Sequence, residues 1–300
     1  MTGGNGGTCV TVGEIVRSLT RSFRDAGLET PDLDARRLVS AATNFAAERL
    51  IVDASLPIST VQQTMIETYR VRRLNHEPVS RILSVRGFYG RDFMISPAVL
   101  DPRPDTETLV DLALAVIDRK ARAESSEGPI HILDIGVGSG AILLTLLAER
   151  PATTGLGIDI SDAALSLARI NSERLGLGTR AHLEAARIGD IMDHSFDLIV
   201  ANPPYIPTGD IEMLDRDVTA FDPLLALDGG PDGLDVYREV FQALGAARFK
   251  QPVALEFGAG QAESVVQLAH DLWLAHAASR STIVDDLSGR PRCVLFEPHI

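Results

Sequence analysis

Ile130-His131-Ile132-Leu133-Asp134-Ile135-Gly136-Val137-Gly138-Ser139-Gly140-Ala141 decides how this chain folds. A short apolar, β-branched run gives way to three alternating glycines, and Ile142, Leu143, Leu146 and Leu147 then recur at helical spacing. Strand, tight turn and helix in that order open a βαβ unit. Glycine serves two needs here: the strand must turn sharply into the helix, and the backbone must approach a ligand with no Cβ in the way.

Working outward, a second strand is expected over Gly155–Ile160, and its last acid, Asp159, follows Gly140 by 19 residues. That offset is about the one at which an acid meets a pair of ribose hydroxyls. The alternation of strand and helix continues beyond it, so the fold class is α/β, with a mostly parallel sheet covered by helices. Read as Gly136-x-Gly138-x-x-Ala141, the same stretch also satisfies the dinucleotide fingerprint, and a nicotinamide enzyme is a rival at this point.

A later strand separates the two. Phe196-Asp197-Leu198-Ile199-Val200-Ala201 is apolar and β-branched, and Asn202-Pro203-Pro204-Tyr205-Ile206 follows it directly. Two prolines forbid any continuation of the ladder. The strand therefore delivers an amide side chain, proline carbonyls with no N–H beside them, and an aromatic face to the carboxyl edge of the sheet, where α/β folds bind ligands. Two acceptors, Asn202 and the Pro203 carbonyl, could take both hydrogens of a planar –NH2 group and turn its lone pair towards an electrophile. The plain alternative is a β-turn after a strand, for which Asn and Pro are ordinary residues. Hydride transfer needs a proton-transfer group near the nicotinamide, and no His or Tyr-x-x-x-Lys arrangement is placed for it. A nucleotide-ribose site beside an amine clamp indicates group transfer to nitrogen.

Composition narrows the partners. The 300 residues allow about two domains, and the net charge of −13 argues against a binder that neutralises nucleic-acid phosphates. Residues 1–100 hold 12 Lys/Arg against 10 Asp/Glu, whereas residues 101–300 hold 16 against 31. Cys9 and Cys293 are the only cysteines, in no metal-ligand spacing, so neither a disulfide framework nor a metal site is expected. Met1 to Thr8 is Gly-rich and lacks a basic stretch followed by an apolar one, and no apolar run approaches the ~20 residues of a spanning helix, so a cytoplasmic protein without a membrane partner is expected.

The N-terminal region reads as a small helical domain, residues 1–78. Residues 1–9 are expected to be disordered; helices follow over Val10–Ala26, from Asp32, over Phe45–Val52, and from a Ser59 cap to about His76. Arg70, Arg72 and Arg73 form a basic patch there, read as a solvated face or as a docking face for a partner. Residues 79–100, with Gly87 and Gly90 among Ile, Val, Phe and Tyr, predict a β-hairpin linker. Residues 101–300 form the catalytic domain, entered through Arg103-Pro104-Asp105-Thr106-Glu107 with Asp105 as the expected helix cap.

With these words in hand, the chain resembles the HemK/PrmC-type protein-(glutamine-N5) methyltransferases. The likeness runs from about Leu33 to Leu295 through Glu77-Pro-Val, Arg103-Pro-Asp-Thr-Glu107, Asp134-Ile-Gly-Val-Gly-Ser-Gly140, Asn202-Pro-Pro-Tyr-Ile206, Gly229-Gly-Pro-Asp-Gly-Leu-Asp235 and Asp286-Leu-Ser-Gly-Arg290. The resemblance implies a Rossmann-like class I methyltransferase domain with a seven-stranded, mostly parallel sheet, preceded by the helical domain and hairpin. It implies S-adenosylmethionine as cofactor, held by Asp134, Gly136, Val137, Gly138, Ser139, Gly140, Asp159 and Asn202. Asp190 stands in for an adenine-side Asp-Trp pair that this chain lacks. Catalysis falls to Asn202, Pro203 and Tyr205, and the substrate to Asn202, Pro203, Pro204, Tyr205, Arg103 and Glu107. The implied partner is a class I peptide-chain release factor, methylated on its Gly-Gly-Gln glutamine by a monomeric enzyme with no nucleic-acid contact. A ribosomal-protein glutamine methyltransferase and a nucleic-acid adenine amino methyltransferase are the alternatives. The hairpin departs from the family at Arg81-Ile-Leu-Ser84, as does Asp101 ahead of Pro102-Arg103.

Overall fold

The computed structural model describes residues 10–123, 128–192, 195–274 and 279–298. Residues 1–9, expected to be disordered and including Cys9, lie outside them. The chain divides into two compact units, Met1–Ser84 and Val85–Ile300.

The first unit is helical: α1 (Val12–Asp25), α2 (Pro31–Thr43), α3 (Ala47–Val52), α4 (Thr60–Leu74) and α5 (Val79–Leu83). Thr11 with Glu14 and Ser59 with Gln62 form capping boxes that start α1 and α4 by satisfying first-turn N–H groups. Gly27, at φ 74°, lets the chain turn after α1 at no steric cost. Phe23, Ala35, Leu38 and Val39 are fully buried among these helices.

The expected basic patch is corrected. Arg73 is 7% exposed, and its Nε donates to Asp34 at 2.8 Å. Arg72 grips Glu77 with two bonds, at 2.7 and 2.5 Å, and also donates to the Ile82 carbonyl. Arg70 grips Glu67 in the same way, at 2.7 and 2.6 Å. These arginines tie the helices of their own unit together and do not offer a free cationic face.

In the second unit, β1 (Val85–Phe88) and β2 (Arg91–Met94) pair antiparallel. The hairpin expected from residue 79 therefore begins at Val85, because Val79–Leu83 completes a helical turn that Ser84 ends in the left-handed region. Then come α6 (Glu107–Arg122), β3 (Ile130–Ile135), α7 (Ala141–Glu149), β4 (Thr153–Asp159), α8 (Asp162–Arg174), β5 (Ala181–Ala185), α9 (Ile188–Ile191) and β6 (Leu198–Ala201). A short α10 (Arg216–Thr219), α11 (Asp235–Ala246), β7 (Val253–Glu256), α12 (Ala262–Ala269), β8 (Ser279–Asp285) and β9 (Pro291–Pro298) complete the unit.

The seven-stranded, mostly parallel sheet is present, in the order β5-β4-β3-β6-β7-β9-β8. The first five strands run parallel, and β9 pairs antiparallel with β7 and β8. Alternate residues of the central strands feed two cores, as a strand's period of two requires. Ile132, Leu198 and Val200 face the core shared with α6 and α7, while Leu133, Ile199 and Ala201 face the one shared with α11. Both faces are covered, which is why these strands read as continuous apolar runs.

Candidate active site

The strand order reverses at β3, whose neighbours are β4 on one side and β6 on the other, and ligands of open α/β sheets sit at such a switch point. Register makes the edge level. Ile135 pairs with Ala201, and Ala201 with Leu255. Gly136, Asn202 and Glu256 therefore leave three adjacent strands in a row. A cavity of about 370 Å³ opens there, lined by Gly136, Val137, Gly138, Ser139, Asp159, Asn202 and Pro204 among others.

The glycine loop is shaped by its neighbours. Gly136 and Gly138 take φ of 72° and 53°, values that L side chains rarely adopt. The Gly136 and Val137 N–H groups both donate to the Ile158 carbonyl at 2.9 Å. Asp159 Oδ2 accepts the Gly138 N–H at 3.0 Å, and its Oδ1 accepts the Ser161 N–H at 2.9 Å. Each carboxylate oxygen keeps a further acceptor site for a hydroxyl. Gly140 does not line the cavity; at φ 82° it begins α7, and a Cβ on it would lie 2.7 Å from Leu144 Cδ1.

Asp134 does not line the cavity either. It is buried in β3, its Oδ2 accepts the Leu143 N–H at 3.1 Å, and its Oδ1 has no partner among the described residues. Burial, with Asp159 adding to it, pushes its pKa up to about 8. Its place in the glycine word is thus under the loop, where it staples α7 to β3.

Asn202 stands on the cavity wall, and its Nδ2 donates to Thr106 Oγ1 at 3.2 Å. That bond directs the amide NH2 away and leaves the carbonyl oxygen as the group the side chain can present. Beside Asn202, at the end of β7, lies Glu256, whose pKa burial raises to about 7 against the opposing influence of Thr106, Arg292 and Asn202.

Three glycines from two segments wall in the Pro-Pro-Tyr turn. A Cβ on Gly229 would lie 2.7 Å from the Pro204 carbonyl, one on Gly258 would lie 2.8 Å from the Tyr205 ring, and one on Gly233 would overlap the Tyr205 carbonyl. Gln261 locks the turn by donating to that carbonyl at 2.9 Å. The Gly229–Asp235 word thus exists to let the turn pass close by. The Pro204 carbonyl lies against Gly229 and the Tyr205 carbonyl is bonded to Gln261. Neither buried Pro203 nor the Tyr205 ring lines the cavity. Burial and the nearby Glu256 push the Tyr205 hydroxyl up to about 12, so it stays a neutral phenol.

Other expected residues are placed differently. Arg103 lines the cavity, bound to Asp222 at 2.6 Å. Glu107 does not line it; its Oε1 accepts the Tyr89 N–H at 2.8 Å and anchors the hairpin. Asp105 is not the helix cap, since α6 follows a 3-10 turn over Pro104–Thr106 and the Asp105 carboxylate turns to Arg292 at 3.3 Å. Asp190 is exposed and turns back to accept the Arg187 N–H at 3.2 Å. In its stretch of the chain it is Ala186, Arg187 and Ile188 that line the cavity, together with Asp159 and Ile160.

Sequence reasoning passed over Thr106 and Glu256. The signal for Glu256 was there: Val253-Ala-Leu-Glu256 is an apolar strand that ends in an acid, as Thr153–Asp159 does.

Known proteins share both units. Residues 127–246 match the family described as a methyltransferase domain, and residues 14–83 match the PrmC N-terminal domain. A release factor glutamine methyltransferase of Rhodospirillum rubrum is 42% identical over 271 residues, covering 90% of this chain and 80% of that protein. One of Caulobacter vibrioides is 40% identical over 280 residues, covering 91% of each. The catalytic domain of hMettl16, solved with MAT2A 3′UTR hairpin 6, is similar in fold, with a TM-score of 0.54 at 13% identity over 68% of this chain and 74% of that one.

Proposed function

The chain belongs to the release factor glutamine methyltransferase family, and on that premise we propose that it transfers a methyl group from S-adenosylmethionine to the side-chain amide nitrogen of the Gly-Gly-Gln glutamine of class I peptide-chain release factors. The observation that carries this reading is the meeting, in one cavity, of a glycine loop with Asp159 and an amide acceptor, Asn202, on the neighbouring strand end.

The residues present fit the cofactor. The cavity falls within the ~300–1,000 Å³ of ligand sites, and a Cβ at Gly136 would occupy open space that the loop instead leaves to a ligand. Asp159 would take the ribose hydroxyls, Ile160 and Ile188 would supply apolar faces for the base, and the Gly136–Ser139 backbone would flank the amino-acid end. When bound, the cofactor supplies a methyl group on a sulfonium, which departs as a neutral thioether once the methyl is taken.

The chain's own work is positional. Asn202 Oδ1 and the Pro203 carbonyl accept the two hydrogens of the glutamine amide and draw its nitrogen lone pair out of conjugation, towards the methyl side of the cavity. This geometry matches the transition state better than the planar ground state. Holding the two reactants at near-attack distance contributes ~7–11 kcal/mol in favourable cases. Once alkylated, the amide nitrogen is acidic and sheds a proton to water or to an accepting carbonyl, so no strong base is required, and the neutral Tyr205 is not asked to be one. Arg103, fixed by Asp222, forms the substrate side of the mouth. The helical unit serves to recognise the folded partner, in the cytoplasm.

The test is to incubate the chain with S-adenosylmethionine and a class I release factor and to follow S-adenosylhomocysteine release. Product should form, and replacing the acceptor glutamine by alanine should abolish it; undiminished product would overturn the reading.

A further inference from the structure

The Asn202 side chain has two ends of nearly equal shape and opposite hydrogen-bonding sense. Backbone geometry places the amide at the cavity, but only its partners decide whether oxygen or nitrogen faces the substrate. An acceptor must face it, because the substrate –NH2 offers two donors. The reverse orientation would set one NH2 against another.

Glu256 is 1% exposed, yet among the described residues its side chain serves no cap and accepts no backbone N–H. Its Oε2 has no hydrogen-bond partner among the described residues. Such a buried, half-satisfied carboxylate is costly and calls for a role. Register sets it beside Asn202, whose Nδ2 is bonded to Thr106 Oγ1, and these two side chains, with Arg292, favour its ionised form against burial. The charged and titratable groups facing it are Arg292, whose attraction favours its ionised form, Asp105, whose repulsion opposes it, and Tyr205, Tyr237 and Cys293, which burial first and then its charge hold in their protonated forms. An ionised carboxylate can only accept. Beside Asn202 it can accept the Thr106 hydroxyl proton and draw the Asn202 NH2 inward, the side on which Thr106 Oγ1 already accepts from that NH2 at 3.2 Å.

We propose that Glu256, acting with Thr106, is the positioning residue that fixes which end of the Asn202 amide faces the cavity, and so makes the site an acceptor for an incoming –NH2 group. This rests on the glutamine-methylation reading and deepens it. A protonated Glu256 would donate instead and attract the Asn202 carbonyl inward. With the carboxyl raised to about 7, turnover should fall as pH drops through that value.

Two measurements on the full chain test this. The first needs no substrate: the side-chain amide resonances of 15N-labelled Asn202 should titrate with a midpoint near that of Glu256, and the titration should vanish in Glu256→Gln. The second compares turnover on the release factor. Thr106→Val and Glu256→Leu should each lower kcat by ~10- to 100-fold, the scale of a lost transition-state contact. S-adenosylmethionine affinity should be unchanged, and the double variant should be no worse than either single one because they break the same chain. Glu256→Gln, which keeps an acceptor, should recover most of the rate and lose the acid limb of the pH profile. A flat Asn202 titration overturns the proposal whatever the enzyme methylates, as do Thr106→Val and Glu256→Gln profiles that match the parent in rate and acid limb. A Glu256-dependent titration in a chain that methylates no glutamine would instead uphold the relay and refute the proposed function.

Discussion

The first unit pairs its buried charge, whereas the second, beside pairs such as Arg103 with Asp222, also keeps buried carboxyls that are only half satisfied. Among the first 84 residues, ten arginines stand against nine acids, and the buried Arg73 and Asp34 meet at 2.8 Å. In the second unit 18 basic residues stand against 32 acids, and two carboxyls, Asp134 and Glu256, are buried with one oxygen each unpartnered among the described residues. Paired charges hold helices in place; carboxyls with perturbed pKa gather where a site needs them. Damage to the first kind should cost fold and leave chemistry, whereas neutralising the second should spare, or even raise, stability, with turnover lost where the replacement at Glu256 also removes the acceptor.

The largest expected effect is in the helical unit. Arg73→Ala leaves Asp34 buried without its cation, which costs ~3–5 kcal/mol. Denaturant unfolding should show an early transition, while calorimetry should find S-adenosylmethionine binding to the second unit retained. Loss of binding together with the early transition would break the contrast. Next is the clamp. Asn202→Ala should lower turnover by ~10²-fold or more, as for other transition-state positioning groups, with cofactor affinity nearly intact; near-normal turnover would remove Asn202 from the mechanism.

Asp159→Ala should weaken S-adenosylmethionine binding by ~1–3 kcal/mol, because it removes both the ribose acceptor and the carboxylate that holds the Gly138 N–H. Unchanged affinity in calorimetry would refute the assignment. The smallest effect concerns pH and stability. Asp134 and Glu256 have folded pKa values raised to about 8 and about 7, so the folded state holds protons that the unfolded chain gives up near 4. Their contribution to stability is complete below that point and is lost as pH rises through 7 and 8. Asp134→Asn, which keeps an acceptor for the Leu143 N–H, should therefore gain in melting temperature over the parent as pH rises from about 5 to 8, by ~2–4 °C for each kcal/mol relieved. A gain that is the same at both ends would contradict the sign.

What could be read in the sequence followed from local rules. The glycine word, the strand that stops before Pro203, the acid at Asp159 and the helix capped by Ser59 each depend on nearby residues, and each is found where periodicity and turn chemistry put it. What could not be read depends on partners far along the chain. Arg70, Arg72 and Arg73 look like a basic face until their carboxylates are placed, one of them 39 residues away. Asp190 and Glu107 have the right chemistry near the right places, but their carboxylates are spent on the backbone N–H groups of Arg187 and Tyr89. Glu256 gains its meaning only from the register that sets β7 beside β6.

The glutamine chemistry itself is tested most directly by fragmentation mass spectrometry of a class I release factor after incubation with the enzyme and S-adenosylmethionine. The account predicts a single added methyl on the side-chain amide nitrogen of the Gly-Gly-Gln glutamine, absent with Asn202→Ala. A methyl on any other residue, or none on a release factor when a ribosomal protein or a nucleic acid is methylated under the same conditions, would contradict it.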